Sequence, residues 1–141
     1  MTPRTIFVNT SGWLALYDAN DPHHQLAREL WEDLRNQPVR LVTTDYVLDE
    51  TFTALKMLGS PEAAQAFHQL ITNSSILRLF MVDSVIFDRG WRLFAQNQQP
   101  GWTFTDCVNY AVIQYLGISE VLTFDPEFTM PGLVTIPSGA S

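Results

Sequence analysis

The chain has 141 residues, of which 46% are hydrophobic and 16% charged, a composition typical of one compact globular domain and not of a disordered chain. Its formal net charge of −7 means that it lacks the overall basic charge by which most nucleic-acid-binding proteins attract phosphates. A cluster of acidic side chains around a divalent cation would also make the net charge negative, so a metal-dependent nuclease stays compatible with the composition. The single cysteine, Cys107, excludes an intramolecular disulfide and favours a buried structural thiol in a reducing cytoplasm.

The first half of the chain predicts two strands, each followed by helical segments. Continuous apolar runs at 5–8 and 39–42 are typical of short strands buried on both faces. The first run ends at Asn9, and Thr43 or Thr44 is placed to cap a helix after the second. Apolar residues then recur at helical spacing, which predicts helices at 13–16, 26–34 and 47–55.

The second half continues this alternation of strands and helices. The pattern predicts helices at 62–71, 85–94 and 108–116 and strands at 76–82, 120–124 and 132–136. Strands that alternate with helices imply an α/β fold, in which helices cover both faces of a mostly parallel sheet of about five strands. We expect a single domain over residues 1–136 and a flexible tail at 137–141. No segment approaches the roughly 20 apolar residues that a membrane span requires.

Four polar side chains are candidates for one functional site. Asn9 follows the first predicted strand and Asp125 follows the fourth, and the carboxyl ends of parallel strands meet at one edge of the sheet, where α/β proteins build their sites. Asp106 precedes the helix at 108–116, and Glu50 lies beside the buried face of the helix at 47–55. Three acids and one amide in these settings suggest a metal site in which one ligand is altered.

Each of the acids also has an ordinary structural interpretation. Asp106 follows Thr103 at the spacing of a capping box, and an acid in the first turn of a helix is favoured by the helix dipole. Asp125 precedes a proline and could serve only in a turn, and Glu50 could be a solvated helix glutamate. Considered singly, each residue is better explained by these structural roles than by catalysis.

The neighbours of these residues give weaker signals. Asp45 and Asp49 share a helix face that should turn further towards solvent than Glu50, so Glu50 is the preferred candidate of the three. His23 and His24 are adjacent at a helix start, where their rings point in different directions. We therefore interpret them as a solvated helix terminus and not as a metal-binding pair.

As an ordered set, the motifs around the four candidates resemble those of the PIN-domain family. The similarity extends from about Ile6 to Ile136, and in the family an aspartate normally stands at the position of Asn9. The similar stretches are Phe7 to Leu16, Thr44 to Thr51, Phe104 to Cys107, Tyr110 to Val112 and Leu122 to Phe128.

The resemblance implies a three-layer α/β/α sandwich and hydrolysis of RNA phosphodiester bonds. It also implies a Mg²⁺ or Mn²⁺ site, and these hard cations suit carboxylate oxygens and bound waters. The metal ligands and catalytic residues would be Asn9, Glu50, Asp106 and Asp125. Many proteins of this kind are toxins of VapBC-type toxin–antitoxin pairs, so a small antitoxin and a second copy of the chain are the expected partners.

Asn9 bears directly on the activity that the resemblance implies. An amide oxygen can coordinate a cation but carries no net charge, and we expect weakened or abolished cleavage as a result. The alternative function is therefore a catalytically inactive module that binds RNA or an antitoxin. A phosphotransfer or phosphatase domain is disfavoured, because its aspartyl nucleophile would stand near Asn9 and an amide cannot attack phosphorus.

Overall fold

The computed structural model describes residues 3–138, which form five strands and six helices. The strands are β1 (Arg4–Val8), β2 (Val39–Thr44), β3 (Leu77–Phe80), β4 (Glu120–Leu122) and β5 (Val134–Ile136). The helices are α1 (Thr10–Tyr17), α2 (His24–Leu34), α3 (Asp45–Met57), α4 (Pro61–Asn73), α5 (Ser84–Gln96) and α6 (Phe104–Leu116).

The five strands form one sheet in the order β3-β2-β1-β4-β5, and every pair of neighbours is parallel. β1 is central, and its Ile6 lies in register with Leu41 of β2 and Glu120 of β4. The carboxyl ends of these three strands therefore share one edge of the sheet. The predicted five-stranded parallel sheet is confirmed.

Helices cover both faces of the sheet. The connections between parallel strands are right-handed. Helices α1 to α4 lie over one face, because the chain moves outward from β1 to β2 and then to β3. Helices α5 and α6 lie over the other face, because the chain then returns across the sheet to β4. Aromatic rings fill the first layer, where the rings of Trp13 and Phe67 lie 5.0 Å apart. On the opposite face, Val108 and Val112 of α6 are fully buried. This is the three-layer sandwich that the family resemblance implies.

Strands β3, β4 and β5 are shorter than the apolar runs predict, whereas β1 and β2 are slightly longer. β4 ends at Leu122 and not at residue 124, because the amides of Phe124 and Asp125 donate to the hydroxyls of Ser11 and Thr123. β3 ends at Phe80 and not at residue 82, since the amide of Val82 donates to the Asp45 carboxylate. Side chains at the carboxyl edge thus replace the last backbone pairs of two strands.

All six helices begin earlier than predicted, and the difference is largest for two of them. α1 begins at Thr10 because Asn9 caps it, and α6 begins at Phe104 because Thr103 caps it. Residues 139–141 of the predicted flexible tail lie outside the described residues. Within residues 3–138, no helix is long and apolar enough to cross a membrane.

The close crossing of α5 and α6 depends on Gly90. A Cβ atom at this position would lie 2.6 Å from Cγ2 and 3.0 Å from Cα of Val108. We expect Gly90→Ala to lower the free energy of unfolding by about 1–2 kcal/mol, because overpacking outweighs the gain in helix propensity. Urea denaturation would measure the change, and Val108→Ala in the same background should cost less than it does alone. Undiminished stability of Gly90→Ala would show that the two helices separate without cost.

Candidate functional site

Asn9 is buried at the junction of β1 and α1, with 4% of its surface exposed. It is the N-cap of α1, and its Oδ1 accepts hydrogen bonds from the Ser11 hydroxyl at 2.8 Å and the Gly12 amide at 3.4 Å. Its Nδ2 donates to Oγ1 of Thr123 at 2.9 Å. Because both lone pairs of Oδ1 have donors, the amide serves as a structural link in this conformation.

The direction of each hydrogen bond around Asn9 follows from the available protons. The Ser11 hydroxyl uses its one proton on Asn9, so at the 3.1 Å contact between Ser11 and Thr123 the proton comes from Thr123. Both hydroxyl oxygens then accept from the main chain, Ser11 from Phe124 at 2.9 Å and Thr123 from Asp125 at 3.1 Å. The resulting network ties the end of β1 to the segment that carries Asp125.

Glu50 lies on α3, where the Thr10 hydroxyl donates to its Oε1 at 2.7 Å. This bond links Glu50 to the residue next to Asn9 and holds one carboxylate oxygen. Asp49 is exposed, as expected, but the expectation that Asp45 turns towards solvent is wrong. Asp45 is partly buried, since its carboxylate accepts the amide of Val82 at 2.9 Å and fixes the end of β3.

Asp106 stands in the first turn of α6 and forms the predicted capping box. Its Oδ2 accepts from the amide of Thr103 at 2.9 Å, and its own amide donates to the Thr103 hydroxyl at 3.1 Å. Burial raises the pKa of Asp106 above its ordinary value of 3.8, the bonds with Thr103 lower it, and the charges of Asp125 and Glu50 raise it further. Asp106 therefore combines a cap with a position close to the other two acids.

The three carboxylates share one arrangement. In each, a neighbouring group fixes one oxygen: Thr10 donates to Glu50, Thr103 to Asp106, and the amide of Glu127 to Oδ1 of Asp125 at 3.0 Å. Among residues 3–138, no hydrogen-bond donor reaches the second oxygen of any of the three, and no Lys or Arg forms a salt bridge with them. Three oriented acids thus lie near one another without a cation from the described chain.

Carboxylate oxygens of this kind suit a hard divalent cation that keeps several water ligands. Among the described residues, no three His, Cys, Asp or Glu side chains converge closely enough to enclose a metal ion. A closed, all-protein site is therefore ruled out for this conformation. Mg²⁺ and Mn²⁺ are commonly held by one or two carboxylates and several waters, so a site at Glu50, Asp106 and Asp125 would need waters, or a movement of these side chains, to complete the shell.

Sequence reasoning did not identify a buried pair that positions two of the acids. The Thr44 hydroxyl donates to Oδ1 of Asn109 at 2.8 Å, and the two residues are 0% and 1% exposed. Thr44 caps α3, which carries Glu50, and Asn109 lies one turn after Asp106 on α6. The available signal was a polar residue among the buried positions of α6, where a hydrogen-bond partner is required.

The neighbouring histidines are not a metal-binding pair. The ring of His23 stacks on Phe124 with centroids 4.7 Å apart, whereas Nδ1 of His24 lies 2.8 Å from the carbonyl oxygen of Ala15. The rings point in different directions, as expected, and both stay partly exposed at the start of α2 while also contacting the protein. Cys107 is buried as predicted, and burial raises the pKa of its thiol.

Comparison with known proteins gives relatives that match almost the whole chain. The chain is 31% identical over 131 residues to the 23S rRNA-specific endonuclease VapC20 of Mycobacterium tuberculosis, covering 93% of this chain and 97% of the relative. It is 25% identical over 126 residues to a VapC ribonuclease of Archaeoglobus fulgidus, covering 88% and 79%.

Solved structures agree with the sequence relatives. The crystal structure of Mycobacterium tuberculosis VapC20, a Sarcin-Ricin loop cleaving toxin, superposes with a TM-score of 0.82 at 31% identity, over 92% of this chain and 96% of that one. The structure of VapBC2 from Rickettsia felis, bound to a promoter DNA fragment, gives a TM-score of 0.66 at 14% identity, over 93% and 96%. This second likeness shows the fold alone. The sequence model of the PIN domain matches residues 6–131, and the chain belongs to the PIN domain family.

Proposed function

We propose that this chain is a divalent-metal-dependent endoribonuclease whose activity is weakened by Asn9. The observation that carries the proposal is the group formed by Glu50, Asp106 and Asp125. Burial, together with the charges of Asp125 and Glu50, raises the pKa of Asp106, and each of the three acids keeps an oxygen without a donor from the described residues. Membership of the PIN domain family and the ribonuclease activity named for two relatives support the same reading.

The three acids would hold Mg²⁺ or Mn²⁺ through their free oxygens. When bound, such an ion neutralises charge on the scissile phosphate and lowers the pKa of a coordinated water. The side chains around it have separate duties in this proposal: Thr10 orients Glu50, and Thr103 orients Asp106. Asn9 would bring no charge, and its oxygen would have to give up a present hydrogen bond to reach the ion.

The same proposal extends to substrate and partners. RNA is the substrate class, and ribosomal RNA is the first candidate because the 31% identical relative is named as a 23S rRNA-specific endonuclease. A small antitoxin is the proposed inhibitor, since the relative VapC20 is named as a toxin and the structural neighbour VapBC2 has the name of the toxin–antitoxin pairs that the family resemblance implies. A cytoplasmic location and a homodimer complete the proposal.

One observation favours a second function, that of a non-cleaving module which binds RNA or an antitoxin. Every hydrogen-bond acceptor of the Asn9 amide is used inside the protein, and Nδ2 donates to Thr123. An aspartate could not make that donation, so the network suits the amide better than the acid. If position 9 serves structure alone, only Glu50, Asp106 and Asp125 remain as metal ligands, which is one ligand fewer than cleavage would use.

Asn9→Asp separates these two functions. It adds one charge beside the free oxygens, and a unit-charge pair at 4 Å is worth roughly 4 kcal/mol at an effective dielectric of 20 before desolvation. We expect Mn²⁺ affinity by calorimetry, and Mn²⁺-dependent RNA cleavage, to rise by about tenfold or more, since about 1.4 kcal/mol is a factor of ten. A matched control is Asn73→Asp, which adds the same charge at the exposed end of α4, on the opposite edge of the sheet.

Cleavage by Asn9→Asp must also disappear when a chelator removes the metal ion. It must likewise disappear in the double variant Asn9→Asp, Asp106→Asn, since cleavage that persists there would come from a contaminating ribonuclease. Equal cleavage by the parent chain and by Asn9→Asp would show that the amide is already a competent ligand. Absence of cleavage in both, with RNA still bound, would favour the non-cleaving module.

Stability should depend on pH through Asp106. Its pKa is raised in the folded state, so the folded protein binds this proton more tightly than the unfolded chain. Stability from this group is present below the unfolded pKa of about 3.9 and is lost as the pH rises through the folded value. Asp106→Asn keeps an acceptor for Thr103 and should raise Tm at pH 7 by about 2–4 °C, the effect of roughly 1 kcal/mol in a domain of this size.

The difference between Asp106→Asn and the parent should shrink as the pH falls towards about 3.9. Thermal melts across the pH range would measure it, with Asp49→Asn on the exposed face of α3 as the matched loss of one charge. A Tm gain that is independent of pH, or equal in the two variants, would contradict the raised pKa of Asp106, to which burial contributes most and the charges of Asp125 and Glu50 contribute less.

A further inference from the structure

The side-chain amide of Asn109 is buried on α6 with one of its two ends unused. Asn109 is 1% exposed, and its Oδ1 accepts the hydroxyl proton of Thr44 at 2.8 Å. Among residues 3–138, no acceptor lies within hydrogen-bond distance of its Nδ2. Because no fully enclosed side-chain nitrogen or oxygen of these residues lacks a partner, the small exposed part of Asn109 includes Nδ2. The protein thus presents a nearly buried donor to solvent.

The direction of the bond to Thr44 determines which end of the amide is free. The Thr44 hydroxyl oxygen accepts from the amide of Val47 at 3.1 Å, as the N-cap of α3. Its single proton goes to Asn109, where only the amide oxygen can accept it. Turning the amide over would direct an N–H group at Thr44 and leave the hydroxyl proton without this acceptor. Oδ1 is therefore committed to Thr44, and Nδ2 is the free end.

The free donor lies at the carboxyl edge of the sheet, beside the candidate site. Thr44 is the last residue of β2 and directly precedes α3, which carries Glu50. Asn109 follows Asp106 by three residues on α6, and Cβ atoms at this spacing lie about 5–6 Å apart on one helix face. Nδ2 is thus placed for a ligand that also meets the free oxygen of Asp106.

Support of Thr44 explains only half of the Asn109 side chain. The hydroxyl proton at the N-cap needs an acceptor, and Oδ1 supplies it. A buried amide that serves structure alone ordinarily has its N–H groups satisfied as well, because an unused donor is costly. The amide of Asn9 meets this requirement, with hydrogen bonds at both its oxygen and its nitrogen. The contrast indicates that Nδ2 of Asn109 has a partner outside the described chain.

A phosphate oxygen is the partner whose chemistry suits this donor. Water on a divalent cation turns its lone pairs to the metal and its protons outward, so it seeks acceptors such as the free carboxylate oxygens. A non-bridging phosphate oxygen carries negative charge and only accepts hydrogen bonds. Arg4, Arg40 and Arg78 are the first or second residues of their strands and lie at the opposite edge of the sheet. A phosphate beside the acids would receive no help from them, which gives a neutral donor its value there.

We propose that Asn109 is a phosphate-binding residue, whose Nδ2 donates to a non-bridging oxygen of the RNA backbone beside Glu50, Asp106 and Asp125. The inference rests on the proposed function, because it takes RNA as the substrate class. Thr44 positions the amide before RNA arrives, so little order is lost on binding. The contact holds the backbone without regard to base sequence, since phosphates carry no sequence information directly.

RNA binding by the full chain tests the contact without any assay of cleavage. Asn109→Leu removes both ends of the amide and adds no charge, whereas Asn109→Asp keeps an acceptor for Thr44 and replaces the free donor by an oxygen. Only the loss of Nδ2 is common to the two variants. We expect each to weaken binding of a labelled single-stranded RNA oligonucleotide in Mn²⁺, measured by fluorescence anisotropy, by about tenfold or more, because hydrogen bonds to charged groups are among the strong ones.

Thr44→Val is the matched control. It breaks the same buried hydrogen bond and removes the cap of α3, but it leaves Nδ2 of Asn109 in place. Thermal melts should show a lower Tm for Thr44→Val and for Asn109→Leu. RNA affinity should fall by no more than about threefold in Thr44→Val, so stability and affinity separate in this pair.

Nuclear magnetic resonance observes the proposed contact at Nδ2 itself. The side-chain N–H signals of Asn109 can be assigned by their absence from Asn109→Leu, and one of the two protons should shift downfield when the oligonucleotide is added. An analogue with methylphosphonate linkages, in which a methyl group replaces the charged oxygen, should leave both signals in place. Asn36, between α2 and β2 at the opposite edge, provides control signals that should not move.

Unchanged RNA affinity in both Asn109 variants would overturn the proposal, and so would a parent chain that binds no RNA. An equal loss in Thr44→Val would reduce Asn109 to a support of α3. A shift of the Asn109 signals with inorganic phosphate and none with RNA would assign the donor to a free anion instead. RNA binding that depends on Nδ2, in a chain that does not cleave even as Asn9→Asp, would uphold this inference and contradict the proposed nuclease.

Discussion

The hydrogen bond from Asn9 to Thr123 joins two strand ends that are 114 residues apart in sequence. β1 and β4 are neighbours in the sheet, but their ladder stops at Leu122, and the chain beyond that point needs other partners. Ser11 and Thr123 supply them through their hydroxyls, and the amide of Asn9 orients both. The position of Asp125 therefore depends on a network whose proton directions are set by the amide.

The same edge of the sheet concentrates negative charge. Glu50, Asp106 and Asp125 form no salt bridge to any Lys or Arg of the described chain. Ionised Asp106 therefore costs folding energy at neutral pH, because burial and, to a smaller extent, the charges of Asp125 and Glu50 raise its pKa. A fourth carboxylate at position 9 would increase that cost. Asn9 reduces the repulsion and supplies a donor to Thr123, so stability and metal binding place opposite demands on this position.

Sequence reasoning succeeded where the signal was periodic or local. The order of strands and helices followed from apolar spacing, and the capping box of Asp106 followed from the three-residue separation between Thr103 and Asp106. Strand ends were misjudged because apolar residues such as Phe124 are buried whether or not they belong to the ladder. The Thr44 to Asn109 bond and the role of Asp45 at the end of β3 depend on residues distant in sequence, and no pattern within either segment specifies its partner.

The supports of Glu50 and Asp106, unlike that of Asp125, do not depend on which side chain occupies position 9. Thr10 fixes Glu50, Thr103 fixes Asp106, and the buried bond between Thr44 and Asn109 ties the start of α3 to α6. A chain that needed only the fold could replace these acids with apolar or neutral residues and avoid their repulsion. Three acids, each oriented by its own donor, are better explained by a cation or a phosphate-bearing partner that these positions still meet, with position 9 setting how strongly.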